Sequence, residues 1–306
     1  MGGGAGATLE ARIADAVRRA EGLIDRAAHD RPDIIVLPET FTGLGCGTEM
    51  WFRTAETVPG PTASRLSEKA RQHRCYIVCP IVRRQGALVH NSAVLLGRDG
   101  DVVGAYDKMH PTIGEIEAGI TPGAEAAVFD TDFGRVGCAI CFDLNFRDVA
   151  EGLKSRGAEL VCFPSMYRGG LQTRIWAFEY SVFLASATPG EGSVLVDPLG
   201  NVLEQSSAYE PIISRRINLD YADFHIDGNN ARWQDIKAKY GDAVELDILS
   251  PEARFVLYSH HPERTAQEII EEFGLERTSA YFARANRSRR AALRKARAAS
   301  DGAQVA

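Results

Sequence analysis

Residues 33–41, Asp33-Ile34-Ile35-Val36-Leu37-Pro38-Glu39-Thr40-Phe41, hold a continuous apolar run of strand length that stops at Pro38 and leaves a carboxylate at its end. Upstream, residues 8–30 repeat apolar positions at helical spacing, with Ile13, Ala16, Val17, Ala20, Leu23, Ile24 and Ala27 on one face. Helix followed by buried strand is thus the first unit, and the pattern recurs. Helices are predicted over 62–73, 146–156 and 172–181. Strands are predicted over 75–80, 92–96, 102–106, 135–141, 160–163, 182–187, 193–197 and 212–218, with hairpin turns at Asp99-Gly100 and Leu199-Gly200-Asn201. Strands that alternate with helices and also form hairpins indicate an α/β protein with two mixed sheets packed face to face and helices outside. Residues 1–262 read as one domain. Residues 263–306 read as a helical, basic extension, since Ala283 to Ala299 hold seven Arg or Lys and no acid.

The composition is that of an ordinary globular chain, with 306 residues, 45% hydrophobic and 25% charged, and this excludes disorder over most of its length. A net charge of −6 argues against general attraction to nucleic acid or to an anionic membrane, both of which require a basic face. A small neutral or weakly charged substrate fits better. With no apolar run of membrane-spanning length and no signal-peptide core in Met1 to Ala7, the expected location is cytoplasmic, and the six cysteines read as reduced thiols. The basic tail lacks interleaved aromatics, so it reads as a solvated helix or an arm across an oligomer partner.

Two further segments place reactive groups beside strands: Tyr106-Asp107-Lys108 and Gly137-Cys138-Ala139-Ile140-Cys141-Phe142-Asp143. A thiol needs a base to remove its proton, and the tetrahedral adduct that it forms needs positive charge beside its oxygen. Glu39, Cys141 and Lys108 supply base, nucleophile and charge, a set able to hydrolyse a carbon–nitrogen bond. Cys138 and Cys141 also invite a redox or zinc reading. On a strand over 135–141 they would point to opposite faces about 10 Å apart, too far for a disulfide, and no second Cys or His cluster completes a metal site. Gly43-Leu44-Gly45-Cys46-Gly47 mimics a dinucleotide loop, but Thr48 stands where the last glycine is required.

In these motifs the chain resembles the nitrilase superfamily of carbon–nitrogen hydrolases. Leu37-Pro38-Glu39, Tyr106-Asp107-Lys108 and Gly137 to Asp143 look like that family's base, lysine and nucleophile motifs. Asn91-Ser92-Ala93, Val161 to Ser165, Glu179 and Gly192 to Gly200 fall in the family's order. The resemblance covers about residues 8 to 220 and implies a four-layer α-β-β-α sandwich. It also implies a thioester mechanism in which Lys108 and a backbone N–H, that of Phe142, hold the oxyanion. The resemblance also implies a second glutamate after the lysine, and the Pro111-Thr112-Ile113-Gly114-Glu115 spacing, which resembles the nitrilase branch, selects Glu115 over Glu117 to hold Lys108 and the substrate or leaving group. Neither cofactor nor metal is implied, and assembly as a homodimer or larger homo-oligomer is.

Phe142-Asp143 after the cysteine looks like the amidase-type branches, which favours an amide or N-carbamoyl substrate; a nitrile substrate, or an idle member serving as a scaffold, is the alternative. Phe41, Phe142, Ser165, Met166, Tyr167 and Trp176 are expected pocket walls, and His110 a residue of the site mouth. The match departs from the family at Asn145, where many relatives carry Arg, and at Arg147 and Asp148. The family's usual first strand has only residues 1–7 to form it.

Overall fold

The computed structural model describes residues 8–304. Residues 1–7, where the family's usual first strand would lie, therefore fall outside the described residues. Compactness divides the chain between Arg216 and Ile217 into two units.

In the first unit, α1 (Leu9–Ala27) starts at Thr8, whose hydroxyl accepts from the Ala11 N–H (3.2 Å). It buries Ala16, Val17, Ala20 and Ile24. β1 (Ile34–Val36) follows, then the short α2 (Thr48–Trp51) and α3 (Pro61–His73), which has proline in its first turn. β2 (Tyr76–Gln85), β3 (Leu88–Leu96) and β4 (Val102–Asp107) complete a four-stranded sheet, β1-β2-β3-β4, in which β1 is parallel to β2 and the rest are antiparallel.

After α4 (Ile113–Glu117) come β5 (Val128–Thr131), β6 (Gly134–Cys138), α5 (Arg147–Ser155), β7 (Leu160–Pro164), α6 (Leu171–Tyr180), β8 (Phe183–Ala187), β9 (Val194–Val196) and β10 (Val202–Gln205). These strands form a second sheet in the order β10-β9-β8-β7-β6-β5, with β6, β7 and β8 mutually parallel. β1 lies against β7 and β8, so the two mixed sheets face each other. One apolar cluster joins α1 and α3 to the first sheet (Val17, Ile24, Leu66, Ala70, Ile77, Ile81), and another joins α5 and α6 to the second (Val149, Leu153, Val161, Trp176, Leu184). The result is the expected α-β-β-α sandwich.

Gly137 shows how that packing constrains sequence: a Cβ there would stand 2.6 Å from Leu153 Cδ2 and 3.3 Å from Ala158 Cβ, so a larger residue would displace the Leu153 side chain of α5.

In three places the structure corrects the sequence reading. Residues 211–219 form no strand. Pro211 removes one ladder N–H there, and β10 pairs only with β9. β6 ends at Cys138, three residues short of the predicted end, because the chain turns at Cys141. The predicted boundary at 262/263 is displaced to 216/217, because β11 (Tyr221–His225), β12 (Val244–Leu249) and β13 (Arg254–Ser259) pair only with one another, in the order β11-β13-β12.

That three-stranded sheet shares a cluster (Phe224, Ile236, Phe255, Leu257, Ile269, Ile270) with α7 (Trp233–Tyr240) and α8 (Ala266–Phe273). α8 therefore belongs to the unit's core. The basic stretch lies on α9 (Thr278–Gln304), where residues 282–300 are all exposed. No helix among the described residues is long and apolar enough to cross a membrane.

Candidate active site

Four strand ends converge. β1 runs through Leu37-Pro38 into Glu39, β4 ends one residue before Lys108, β6 ends three before Cys141, and β7 ends two before Met166. Side chains from distant parts of the chain meet at these ends, as they do at the carboxyl ends of open α/β sheets.

Lys108 Nζ donates to Glu39 Oε1 (2.9 Å) and to Glu115 Oε2 (2.9 Å) and Oε1 (3.2 Å). Asn91, inside β3, uses its amide nitrogen in the same way, donating to Glu39 Oε1 and Glu115 Oε1, each at 2.8 Å. Glu39, Lys108 and Glu115 are 1%, 1% and 3% exposed. Glu117, the other candidate, is exposed.

The Glu115 position follows from a reciprocal cap on α4. Thr112 Oγ1 accepts the Glu115 N–H (3.3 Å), while Glu115 Oε2 accepts the Thr112 N–H (2.7 Å). Burial disfavours the Glu115 charge, but Lys108, the Thr112 N–H and Asn91 outweigh it, and its pKa is lowered. Burial also opposes the Lys108 ammonium, and the two carboxylates more than compensate, so its pKa is raised.

Cys141 opens a short turn with φ at +48°, a left-handed conformation that a side chain with a Cβ adopts at a cost. Unlike the three charged groups it is partly exposed. Burial and the Glu39 charge push its thiol up to about 11, against the opposing pull of Lys108 and the Met166 N–H. That same N–H donates to Glu39 Oε2 (2.9 Å). The resting sulfur is therefore a thiol beside a carboxylate that already accepts from three donors. All six cysteines are free; Cys138 is buried within β6 while Cys141 stands on the turn beyond it.

The turn is held from beneath by Asp143, whose role the sequence did not disclose. Its Oδ2 accepts from the Ile140 N–H (2.8 Å) and the Tyr106 hydroxyl (2.7 Å), and its Oδ1 from the His110 N–H (2.8 Å). Asp143 is fully buried, and burial raises its pKa despite these donors. Asp143→Asn turns one acceptor into a donor facing N–H or O–H groups, and is expected to cost about 2–3 kcal/mol of stability. Chemical denaturation measures this; an unchanged midpoint would show that the hub does not hold the turn.

The expected pocket residues divide. Tyr167 and Phe142 are half-buried, and Met166 is 41% exposed. Ser165 is buried and closes a turn, donating to the Tyr167 carbonyl (2.6 Å) and accepting its N–H (3.1 Å). Phe41 packs with Val17, Ile35 and Leu66, and Trp176 with Leu153, Val161 and Val182. Both are core, because they sit on the inward faces that their elements use for packing. His110 stacks on Phe146 (3.8 Å) and meets Asp148 at 2.9 Å. Among the described residues, no group of three or more His, Cys, Asp or Glu is placed to hold a metal ion.

Residues 6–224 match the Carbon-nitrogen hydrolase family. The omega-amidase NIT2 of Homo sapiens is 28% identical over 231 residues, which is 67% of this chain and 83% of that one, and its Xenopus tropicalis counterpart is 27% identical over 231 residues, with the same coverage. Among solved structures, Saccharomyces cerevisiae Nit3, a member of branch 10 of the nitrilase superfamily, aligns with a TM-score of 0.57 at 24% identity over 64% of this chain and 81% of its own. An amidase from Nesterenkonia sp. aligns with a TM-score of 0.58 at 22% identity, over the same shares. These two structures share the fold. With the family match spanning well over half of its length, the chain belongs to the carbon–nitrogen hydrolase family, the nitrilase superfamily.

Proposed function

We propose that this protein is a thiol-dependent amidase, hydrolysing an amide or N-carbamoyl compound through a thioester on Cys141. The observation that carries this reading is the buried Glu39–Lys108–Glu115 array set against a partly exposed thiol. Glu39 takes the thiol proton as the sulfur bonds to the substrate carbon. The carbonyl π electrons move to oxygen, which Lys108 and the Phe142 N–H stabilise. The carbon–nitrogen bond then breaks, and nitrogen leaves as ammonia or an amine with the proton from Glu39. Water, deprotonated by Glu39, attacks the thioester, and the sulfur leaves and recovers its proton.

Glu115 and Asn91 keep Lys108 and Glu39 in place through this cycle. The names of the relatives, omega-amidase and amidase, support amide over nitrile chemistry. The six free thiols support a reducing, cytoplasmic setting.

A panel of amides, N-carbamoyl compounds and nitriles, scored by ammonia release, tests the reading, and Glu39→Gln sharpens it. That variant should stop ammonia release yet speed alkylation of Cys141 by iodoacetamide at neutral pH. Burial and the Glu39 charge both hold the thiol high. Removing the charge lowers the thiol pKa, and each unit adds about tenfold thiolate. Ammonia release at the wild-type rate would remove Glu39 from the role of base, and slower alkylation would show that its charge is not what holds the thiol high.

A further inference from the structure

Three uncharged side chains form a line of hydrogen bonds beside the Cys141 turn. Asn145 Nδ2 donates to the Phe142 carbonyl (3.0 Å), Gln172 Nε2 donates to Asn145 Oδ1 (2.9 Å), and the Tyr167 hydroxyl donates to Gln172 Oε1 (3.3 Å). Asn145 belongs to the nucleophile turn, Tyr167 to the loop that supplies the Met166 N–H, and Gln172 to the first turn of α6. The line therefore ties the thiol's loop to the loop that positions the base.

Asn145 is exposed and the other two are half-buried, unlike the enclosed carboxylates and ammonium. The Tyr167 hydroxyl lies within electrostatic reach of the reaction centre: burial, with the Cys141 charge adding to it, lifts its pKa to about 12.

Basic side chains on the segments around this rim have acceptors: Arg147 stands 3.9 Å from Glu179, and Arg174 donates to the Gly200 carbonyl (2.8 Å). Lys108 meets Glu39 and Glu115, His110 meets Asp148, and Arg168 meets Glu191 (2.5 Å). A carboxylate on the substrate would be desolvated beside two buried carboxylates that share one ammonium, with no unengaged cation among these groups. An uncharged polar group meets partners instead, because a carboxamide or phenol can both donate and accept.

We propose that Tyr167, Gln172 and Asn145 are the specificity rim of this site, and that the substrate is an amide whose acyl chain ends in an uncharged hydrogen-bonding group, such as a second carboxamide or a hydroxyl, and not in a carboxylate. This rests on the amidase reading above.

Three primary amides of equal chain length test it: pentanediamide, its half-acid, and pentanamide. For the wild-type protein, kcat/KM for the diamide should exceed that for the half-acid by about tenfold or more. Gln172→Arg should invert that ratio by supplying a cation. Tyr167→Phe and Gln172→Leu should each lower the ratio of diamide to pentanamide by about fivefold, through KM. Equal or preferred turnover of the half-acid by the wild type overturns the rim, as do variants that depress diamide and pentanamide alike. Hydrolysis of pentanamide with no preference among the three removes the rim and leaves the amidase standing. Inertness toward all three amides removes the rim, and the amidase reading falls with it only where the wider panel of amides and N-carbamoyl compounds is inert as well.

Discussion

Cys141→Ala is expected to lower amide turnover by about 10⁴-fold or more, as removal of a nucleophile does where the remaining groups act only in concert with it. The fold should survive. Only the sulfur is lost, from a residue that is partly exposed, while the Cβ and the backbone bonds that hold the turn through Asp143 remain. Urea denaturation and ammonia release measured on the same preparation separate the two effects.

A second substitution probes the backbone. At φ of +48° alanine keeps the left-handed strain and glycine relieves it, so Cys141→Gly should be more stable than Cys141→Ala by up to about 1 kcal/mol, although glycine loses more entropy on folding. Both variants should be equally inactive. Residual turnover near the wild-type rate in either would show that the thiol is not the nucleophile.

That strained turn also marks where reading the sequence stops. Gly137 to Cys141 looks like an uninterrupted strand because apolar periodicity records which side chains are buried, not where φ turns positive. The left-handed residue here is a cysteine, not a glycine that would announce the bend. Other features were legible because their causes are local. Pro38 ends a buried run, and Asp99-Gly100 closes a hairpin.

Asn91 stood in the sequence as a landmark without a role. Its bonds to Glu39 and Glu115 join residues 52 and 24 positions away, and nothing in the local pattern encodes such a pairing. Asp143 is hidden for the same reason, since its partners Tyr106 and His110 come from the other side of a long connection. The displaced domain boundary was readable in principle. Val244-Glu245-Leu246-Asp247-Ile248 alternates apolar and acidic residues at period two, the signature of a half-buried strand. Phe41 and Trp176 pack in apolar clusters, and from sequence an aromatic side chain beside a reactive residue reads alike whether it faces substrate or core.

Lys108→Met removes the one cation from between two buried carboxylates while nearly keeping its volume, and should damage stability and catalysis together. Losing one partner of a buried ionic group costs about 3–5 kcal/mol. Without the ammonium, Glu39 and Glu115 share only the Asn91 amide.

The pH dependence carries the sign of this effect. In the wild type the Glu115 pKa is lowered, because Lys108, the Thr112 N–H and Asn91 outweigh burial. The stability it contributes is present above the ordinary carboxylate range and is lost as pH falls through the folded value. In the variant, burial prevails and raises that pKa, so stability is instead lost as pH rises. The stability gap between the two proteins should therefore be wide at pH 7 and narrow toward pH 4, which denaturation midpoints across that range would record. A constant gap would mean that the charge on Lys108 is not what holds the array.

Turnover should fall by about 10³-fold or more with the loss of the oxyanion's cation. Adding Glu115→Gln to Lys108→Met removes one of the two stranded charges, and should restore much of the stability and none of the activity. Recovery of both would show that the ammonium only balances charge. Recovery of stability alone separates what Lys108 does for the fold from what it does for the reacting oxygen.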